Sequence, residues 1–182
     1  MSERKSITTG VGDRGKTRLY SSEEVPKDSP RPEACGDLDE LVSVLGIARC
    51  HVVNADAGEG VRWLQRKLFV VAVEVATTPA KLHSLAERID EAALAEFDER
   101  RVAAERRVTV PEGFVLPGVT WGAAHLDHAR AVARRAERRV VALYHAGLVE
   151  NVRLLVWMNR LSDYLWLLAR LEEGRPEMLR DG

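Results

Sequence analysis

Residues 128–139 constrain this chain more than any other stretch. Ala129, Val132, Ala136, Val140 and Leu143 recur at spacings of three and four, which puts them on one stripe of an α-helix and requires a neighbouring element to cover them. Arg130, Arg134 and Glu137 fall at i, i+4 and i+7 on an adjoining face, with Arg138 at its border. One helix therefore both packs and presents guanidinium forks. Forked donors at fixed spacing suit a phosphate chain or buried carboxylates. A solvated, salt-bridged surface is the common use of such a run.

Further helices follow the same logic. A helix is expected to open at Gly36-Asp37, with an acidic first turn that suits the helix dipole and a stripe of Leu38, Leu41, Leu45 and Ala48. Residues 54–60, with Asp56, Gly58 and Gly60, break that pattern. A second helix is predicted over 61–76, led by Trp63, Leu64, Leu68 and Val75; its β-branched second half also permits a strand, but the length favours helix. Thr78-Pro79 reads as an N-cap and first helical residue, opening a third helix over 80–106. The connector 108–120 carries Pro111, Gly113, Pro117 and Gly118. The fourth helix, 120–147, holds the arginines. The fifth, 151–173, turns Leu154, Leu155, Met158, Leu161, Leu165 and Leu168 inward and ends at Gly174 and Pro176. It also carries a polar line, Asn159, Ser162, Asp163 and Trp166, which fits inter-helix hydrogen bonds as readily as a ligand site. Asp39, early in the first helix, is a carboxylate that could meet Arg130. The reading is all-α: a five-helix bundle over 36–174, preceded by a long loop over 1–35 and followed by a tail over 175–182.

The leading segment is loop chemistry, with Gly10, Gly12, Gly15, Pro26, Pro30 and Pro32. Residues 8–17 form a Gly-rich stretch ending in Lys16-Thr17, whose amides could turn around an anion. It is not a Walker A loop, because the spacing differs and no strand precedes it. By itself it fits a flexible tail as well as a phosphate cradle.

Net charge is −1, so no global basic field exists to hold nucleic acid, and no aromatic residues interleave the arginines. Cys35 and Cys50 are the two cysteines, without metal-ligand spacing, so free thiols and no protein-ligated metal are expected. The run from residue 68 to 73 is the longest apolar one and is far too short to span a bilayer; the start of the chain lacks an apolar signal core. A cytoplasmic protein is the expectation.

In order along the chain stand Thr9-x-x-Gly12-Asp13-x-Gly15-x-Thr17, Lys27-x-x-x-Arg31, Gly36-x-x-Asp39-Glu40-Leu41, Ala76-Thr77-x-Pro79 and Phe114-Val115-Leu116-Pro117-Gly118. They are followed by Ala129-Arg130-x-x-x-Arg134-Arg135-Ala136-Glu137-Arg138 and Asn159-Arg160-Leu161-Ser162-Asp163-Tyr164-Leu165. On these blocks the chain resembles the PduO-type ATP:cob(I)alamin adenosyltransferases over nearly its whole length. The resemblance implies a homotrimer with ATP at each subunit interface and Mg²⁺ on the triphosphate. It implies transfer of the 5′-deoxyadenosyl group to cob(I)alamin, giving adenosylcobalamin and triphosphate. It assigns Thr9, Gly10, Val11, Gly12, Thr17, Arg18 and Lys27 in the leading loop, with Arg134, Arg135, Glu137, Arg138 and Asn159, to nucleotide contacts. It matches Arg130 and Asp39 to a salt bridge across the interface, and Phe114 to the aromatic wall under the corrin that disfavours a lower axial ligand. A reductase and an adenosylcobalamin-dependent enzyme are the implied partners. The sequence departs from the family at Val42, Val119 and Asp127. These departures leave room for a trimeric relative that binds corrinoid or nucleotide without normal turnover, or that adenosylates another acceptor.

Overall fold

The computed structural model describes residue 8 and residues 10–179. Among these the chain is mostly helical. Five α-helices share one apolar core: α1 (Pro30–His51), α2 (Ala55–Val75), α3 (Glu91–Glu105), α4 (Trp121–His145) and α5 (Val152–Glu173). Two small antiparallel pairs accompany them. β1 (Lys16–Arg18) pairs with β2 (Glu24–Pro26), and β3 (Val115–Leu116) pairs with β4 (Glu177–Met178). None of the described helices is long and apolar enough to cross a membrane.

The stripe on α4 performs the packing its spacing demanded. Ala129, Val132, Ala136, Val140 and Leu143 are buried against α1 and α5. The inward residues of α5 are buried too, except Leu155, which is half-buried at the rim of the core. Both helices start where local chemistry says they should. Thr120 accepts a hydrogen bond from the Ala123 amide, and Asn151 accepts one from the Arg153 amide. Gly174 closes α5 with φ +70°, a backbone state that a β-carbon would strain.

Four expectations need correction. First, α1 starts at Pro30 rather than at Gly36-Asp37. Proline at the first helical turn lacks only an N–H that would be unsatisfied there, so the Pro30-Arg31-Pro32 stretch starts a helix rather than a loop. Second, residues 54–60 do not break the pattern. The Asn54 side chain accepts from the amides of Asp56 and Ala57 and starts α2 before the glycines. Gly60 is needed inside α2: a β-carbon there would lie 2.8 Å from Tyr164 Oη and 2.9 Å from Leu168 Cδ2. Third, the long third helix is divided. Pro79–Ser84 is a 3₁₀ turn, Thr78 makes no side-chain cap, and α3 starts afresh where Asp90 accepts from the Ala93 amide at 2.8 Å. The gap is fixed from another helix: the buried carboxylate of Glu74 accepts from the Ile89 amide at 2.9 Å and from the Asn151 side chain at 2.7 Å. Fourth, the leading segment and the tail are not plain loop. The first carries the β1–β2 hairpin, and the second supplies β4 to pair with the connector before α4.

The hairpin is fastened to the end of α2. The Tyr20 amide donates to the Ala76 carbonyl at 3.1 Å, Ser21 Oγ accepts from the Thr78 amide at 3.1 Å, and Thr78 Oγ1 donates to Glu23 at 3.0 Å. Beside this junction lies Arg31, 5 % exposed, whose guanidinium donates to the carbonyls of Val75, Thr77 and Leu148. One side chain of α1 thus caps the carbonyl end of α2 and the α4–α5 turn together.

Candidate functional site

The outward faces of α4 and α5 form an open depression of about 290 Å³ lined by Arg134, Glu137, Arg138, Val141 and Asn159. Helical spacing produces it. Arg134 and Arg138 are one turn apart, Glu137 sits between them, and Asn159 reaches across from α5. Burial pushes the Glu137 carboxyl above its ordinary range, and Asp163 adds to this, while Arg134 and Arg138 pull it down.

The arginines of α4 divide by face. Arg135 pairs with Glu40 and with Asp37 (3.4 Å), and Arg139 pairs with Glu33 (3.1 Å) and Asp37 (3.7 Å), all on α1. These two stitch α4 to α1 and point away from the depression. Among the described residues, Arg134 and Arg138 form no ion pair. Two unpaired guanidinium forks beside an open hollow give it the chemistry of an anion site.

Arg130 lies one turn before Arg134 and is held within its own chain by Asp127, Nε to Oδ1 at 3.2 Å. Asp39 is exposed on α1 and makes no ion pair among the described residues, so the pairing of Asp39 with Arg130 does not occur inside one chain. In the sequence Asp127 stands only as a departure from the family; its place three residues before Arg130 is the signal for this pairing.

The leading segment forms a second, separate cluster. Gly10 and Gly15 have φ +69° and +74°, and turns run from the Asp13 amide to the Gly10 carbonyl and from the Gly15 amide to the Gly12 carbonyl. Gly12 is packed against Lys27: a β-carbon there would lie 2.8 Å from the Lys27 ammonium nitrogen. The Lys27 amide donates to the Gly15 carbonyl at 2.9 Å, so lysine, glycines and Thr17 gather at the open end of the hairpin. Val11 is exposed, and so is Arg18, at the turn end of the hairpin. Thr9 lies outside the described residues. No hydrogen bond or ion pair among residues 10–27 reaches Arg134, Glu137, Arg138 or Asn159. Among the described residues, no such bond joins the two predicted halves of the site within one chain.

Phe114 is 82 % exposed on the connector before β3 and lines a hollow with Glu112, Gly113, Met178 and Leu179. The β3–β4 pair and the bond from the Leu179 amide to the Phe114 carbonyl at 2.9 Å hold this wall in place. An aromatic ring this exposed on a fastened loop is fitted to meet an apolar surface.

A mostly helical chain with an unpaired guanidinium face and a fastened, exposed aromatic ring is of a class suited to a polyanion and an apolar surface. Comparison with known proteins narrows the class. The sequence model for the cobalamin adenosyltransferases matches residues 7–172, and the chain belongs to that family. It is 35 % identical over 176 residues to a corrinoid adenosyltransferase of Citrobacter freundii, covering 94 % of this chain and 97 % of that protein. It is 37 % identical over 174 residues to the corrinoid adenosyltransferase PduO of Salmonella typhimurium, covering 93 % of this chain and 50 % of the relative, so it spans about half of that longer protein. Among solved structures, a point variant of a PduO-type ATP:corrinoid adenosyltransferase from Lactobacillus reuteri, complexed with cobalamin and ATP, matches with a TM-score of 0.84 and 29 % identity. That match covers 97 % of this chain and all of the other.

Proposed function

We propose that this chain transfers the 5′-deoxyadenosyl group of ATP to cob(I)alamin, as a homotrimer of five-helix bundles with one site at each subunit interface. The observation that carries the reading is the open face of Arg134, Glu137, Arg138 and Asn159, whose arginines are left unpaired by their own chain. The family's relatives are named corrinoid adenosyltransferases, and one solved neighbour holds cobalamin and ATP. Among the described residues, residues 10–27 make no hydrogen bond or ion pair to this face, which fits a site built from two subunits. The exposed, unpaired Asp39 supports a salt bridge to a neighbour's Arg130.

In the reaction the cobalt(I) electron pair forms the bond to C5′ while the C5′–O bond breaks and triphosphate leaves. No covalent protein nucleophile and no general base are required. The protein's task is to hold C5′ over cobalt and to offset the charge that develops on the departing triphosphate. Arg134 and Arg138 take that role from α4, Lys27 and the amides around Gly12 take it from the leading segment, and Asn159 orients the nucleotide. No group of three or more His, Cys, Asp or Glu side chains that could hold a metal ion exists among the described residues. Mg²⁺ would arrive on the triphosphate, with Glu137 as the carboxylate in the same depression as the arginine pair. Phe114 would wall the lower face of the corrin, excluding water and a lower ligand so that cobalt(II) is more readily reduced.

Incubating the protein with MgATP and chemically reduced cobalamin, and following the visible spectrum, tests the reading. Appearance of adenosylcobalamin supports it. Tight binding of both ligands with no adenosylcobalamin would instead establish a non-catalytic relative.

A further inference from the structure

Arg130 and Arg170 approach the same buried carboxylate from opposite sides. Asp127 is 5 % exposed. Its Oδ2 accepts from Arg170 Nη2 at 2.7 Å, and its Oδ1 accepts from Arg130 Nε at 3.2 Å. Arg170 is itself immobilised: it is 4 % exposed, it pairs with Glu173, and its guanidinium lies 5.2 Å from the centre of the Trp166 ring. Arg130 differs. Its side chain is 33 % exposed, and only its Nε is engaged. Its two terminal nitrogens make no hydrogen bond or ion pair among the described residues.

We infer that Asp127 is a positioning residue: anchored by Arg170, it grips Arg130 by Nε and so presents the two terminal nitrogens, pre-aimed, to a carboxylate of the neighbouring subunit. The inference rests on the trimeric reading above and adds to it the device that orients the interface arginine. The physical case is one of preorganisation. An arginine loses rotamer entropy on pairing, and a side chain already held at Nε has less to lose when its terminal fork is engaged. A carboxylate touching Nε alone leaves the fork geometry intact, because the two terminal nitrogens can still accept a bidentate partner. Exposed Asp39 is the complementary group. Arg130 is also one turn from Arg134, so an interface held in register by Arg130 fixes where the neighbour's glycine–lysine cluster meets the α4 arginines.

The test is the trimer dissociation constant, measured by sedimentation over a dilution series for the full chain. Asp127→Asn, which keeps the shape and loses the charge, is expected to weaken the trimer about tenfold. In an Arg130→Ala background the same change is expected to weaken it less than about twofold, because the group it acts through is gone. Arg130→Lys keeps a charge but has no Nε to grip, and the residue is partly exposed, so it should fold and should also weaken the trimer about tenfold. A trimeric wild type in which Asp127→Asn weakens assembly equally with and without Arg130 overturns the inference while leaving the trimer intact. An Arg130→Lys trimer as tight as wild type overturns it as well, even where Asp127→Asn fails to fold. A monomeric wild type removes the interface, and with it both the inference and the reading it rests on.

Discussion

Replacing Arg31 by methionine keeps most of the side-chain volume and removes the guanidinium that joins three parts of the fold. In the native structure this group is buried and donates to the carbonyls of Val75, Thr77 and Leu148, the bond to Thr77 being 3.0 Å. Burial pulls its pKa below the ordinary arginine value, yet it stays charged at any ordinary pH. Truncation leaves three carbonyls without their donor. At about 1 kcal/mol for each partly hydrated orphan, the loss is about 3 kcal/mol; removing a buried charge offsets some of the gross bond energy, which is why the lower end of the range applies. For a chain of this size that corresponds to a fall in Tm of about 6–12 °C. Thermal unfolding followed by far-ultraviolet circular dichroism measures it directly. The hairpin is fastened at the same junction, so the Tyr20 amide should also lose exchange protection. A Tm within about 2 °C of wild type would refute the reasoning, because it would mean that water already serves those carbonyls.

Other outcomes follow from the same geometry. Arg134→Ala should leave the fold intact and lower both MgATP affinity and turnover, by about 2–4 kcal/mol of transition-state stabilisation; unchanged calorimetric affinity would make the α4 arginines structural only. Phe114→Ala should bind ATP normally and adenosylate slowly, and a normal rate would show that this wall does not tune cobalt. Acid should loosen the hairpin. A hydrogen bond from Ser21, with others from Thr78 and Lys81, holds the Glu23 carboxyl at about 2 against an ordinary 4.5. A depressed carboxyl contributes stability that is complete above its unfolded value and is lost as pH falls through the folded one. Protection of the Tyr20 amide should therefore decline between about pH 4.5 and 2 and become flat over that range in Glu23→Gln. An unchanged slope in the variant would assign the effect to another group.

How far the sequence reveals the molecule depends on how local each cause is. Helices α4 and α5 are readable to within a residue or two because their caps, Thr120, Asn151 and Gly174, and their apolar stripes lie within the same short stretches. The start of α1 was hidden because proline has two meanings, and Pro30 and Pro32 read as loop residues when they stand at a first helical turn. Gly58 and Gly60 read as breakers, although the reason for Gly60 is a close approach by Tyr164 and Leu168 from another helix. The interruption before α3 depends on Glu74 and Asn151, which meet Ile89 only after the chain has folded.

The site divides in the same way. The grouping of Arg134, Glu137 and Arg138 was legible because a helix fixes who shares a face, whereas Asn159, on another helix, was joined to them only by the family resemblance. Arg135 also belongs to the family block, but it is one residue further round and is taken by Asp37 and Glu40. The grip of Asp127 on Arg130 needed coordinates, since the anchor that makes it rigid is Arg170, far away on α5. The relation of the Gly12–Lys27 cluster to the α4 face is set by no hydrogen bond or ion pair of residues 10–27 among the described residues; in the proposed trimer a neighbouring subunit would bring the two together.

That relation has a direct test. Lys27→Ala and Arg134→Ala each disable one half of the proposed site, on different parts of the chain. If the halves of one site come from neighbouring subunits, subunits of the two inactive variants, dissociated together and reassembled at equal amounts, should regain activity. About a quarter of the interfaces then combine an intact Lys27 with an intact Arg134, and the mixture should recover about a quarter of the wild-type rate of adenosylcobalamin formation. Mixed trimers that form but remain as inactive as either variant alone would contradict the account.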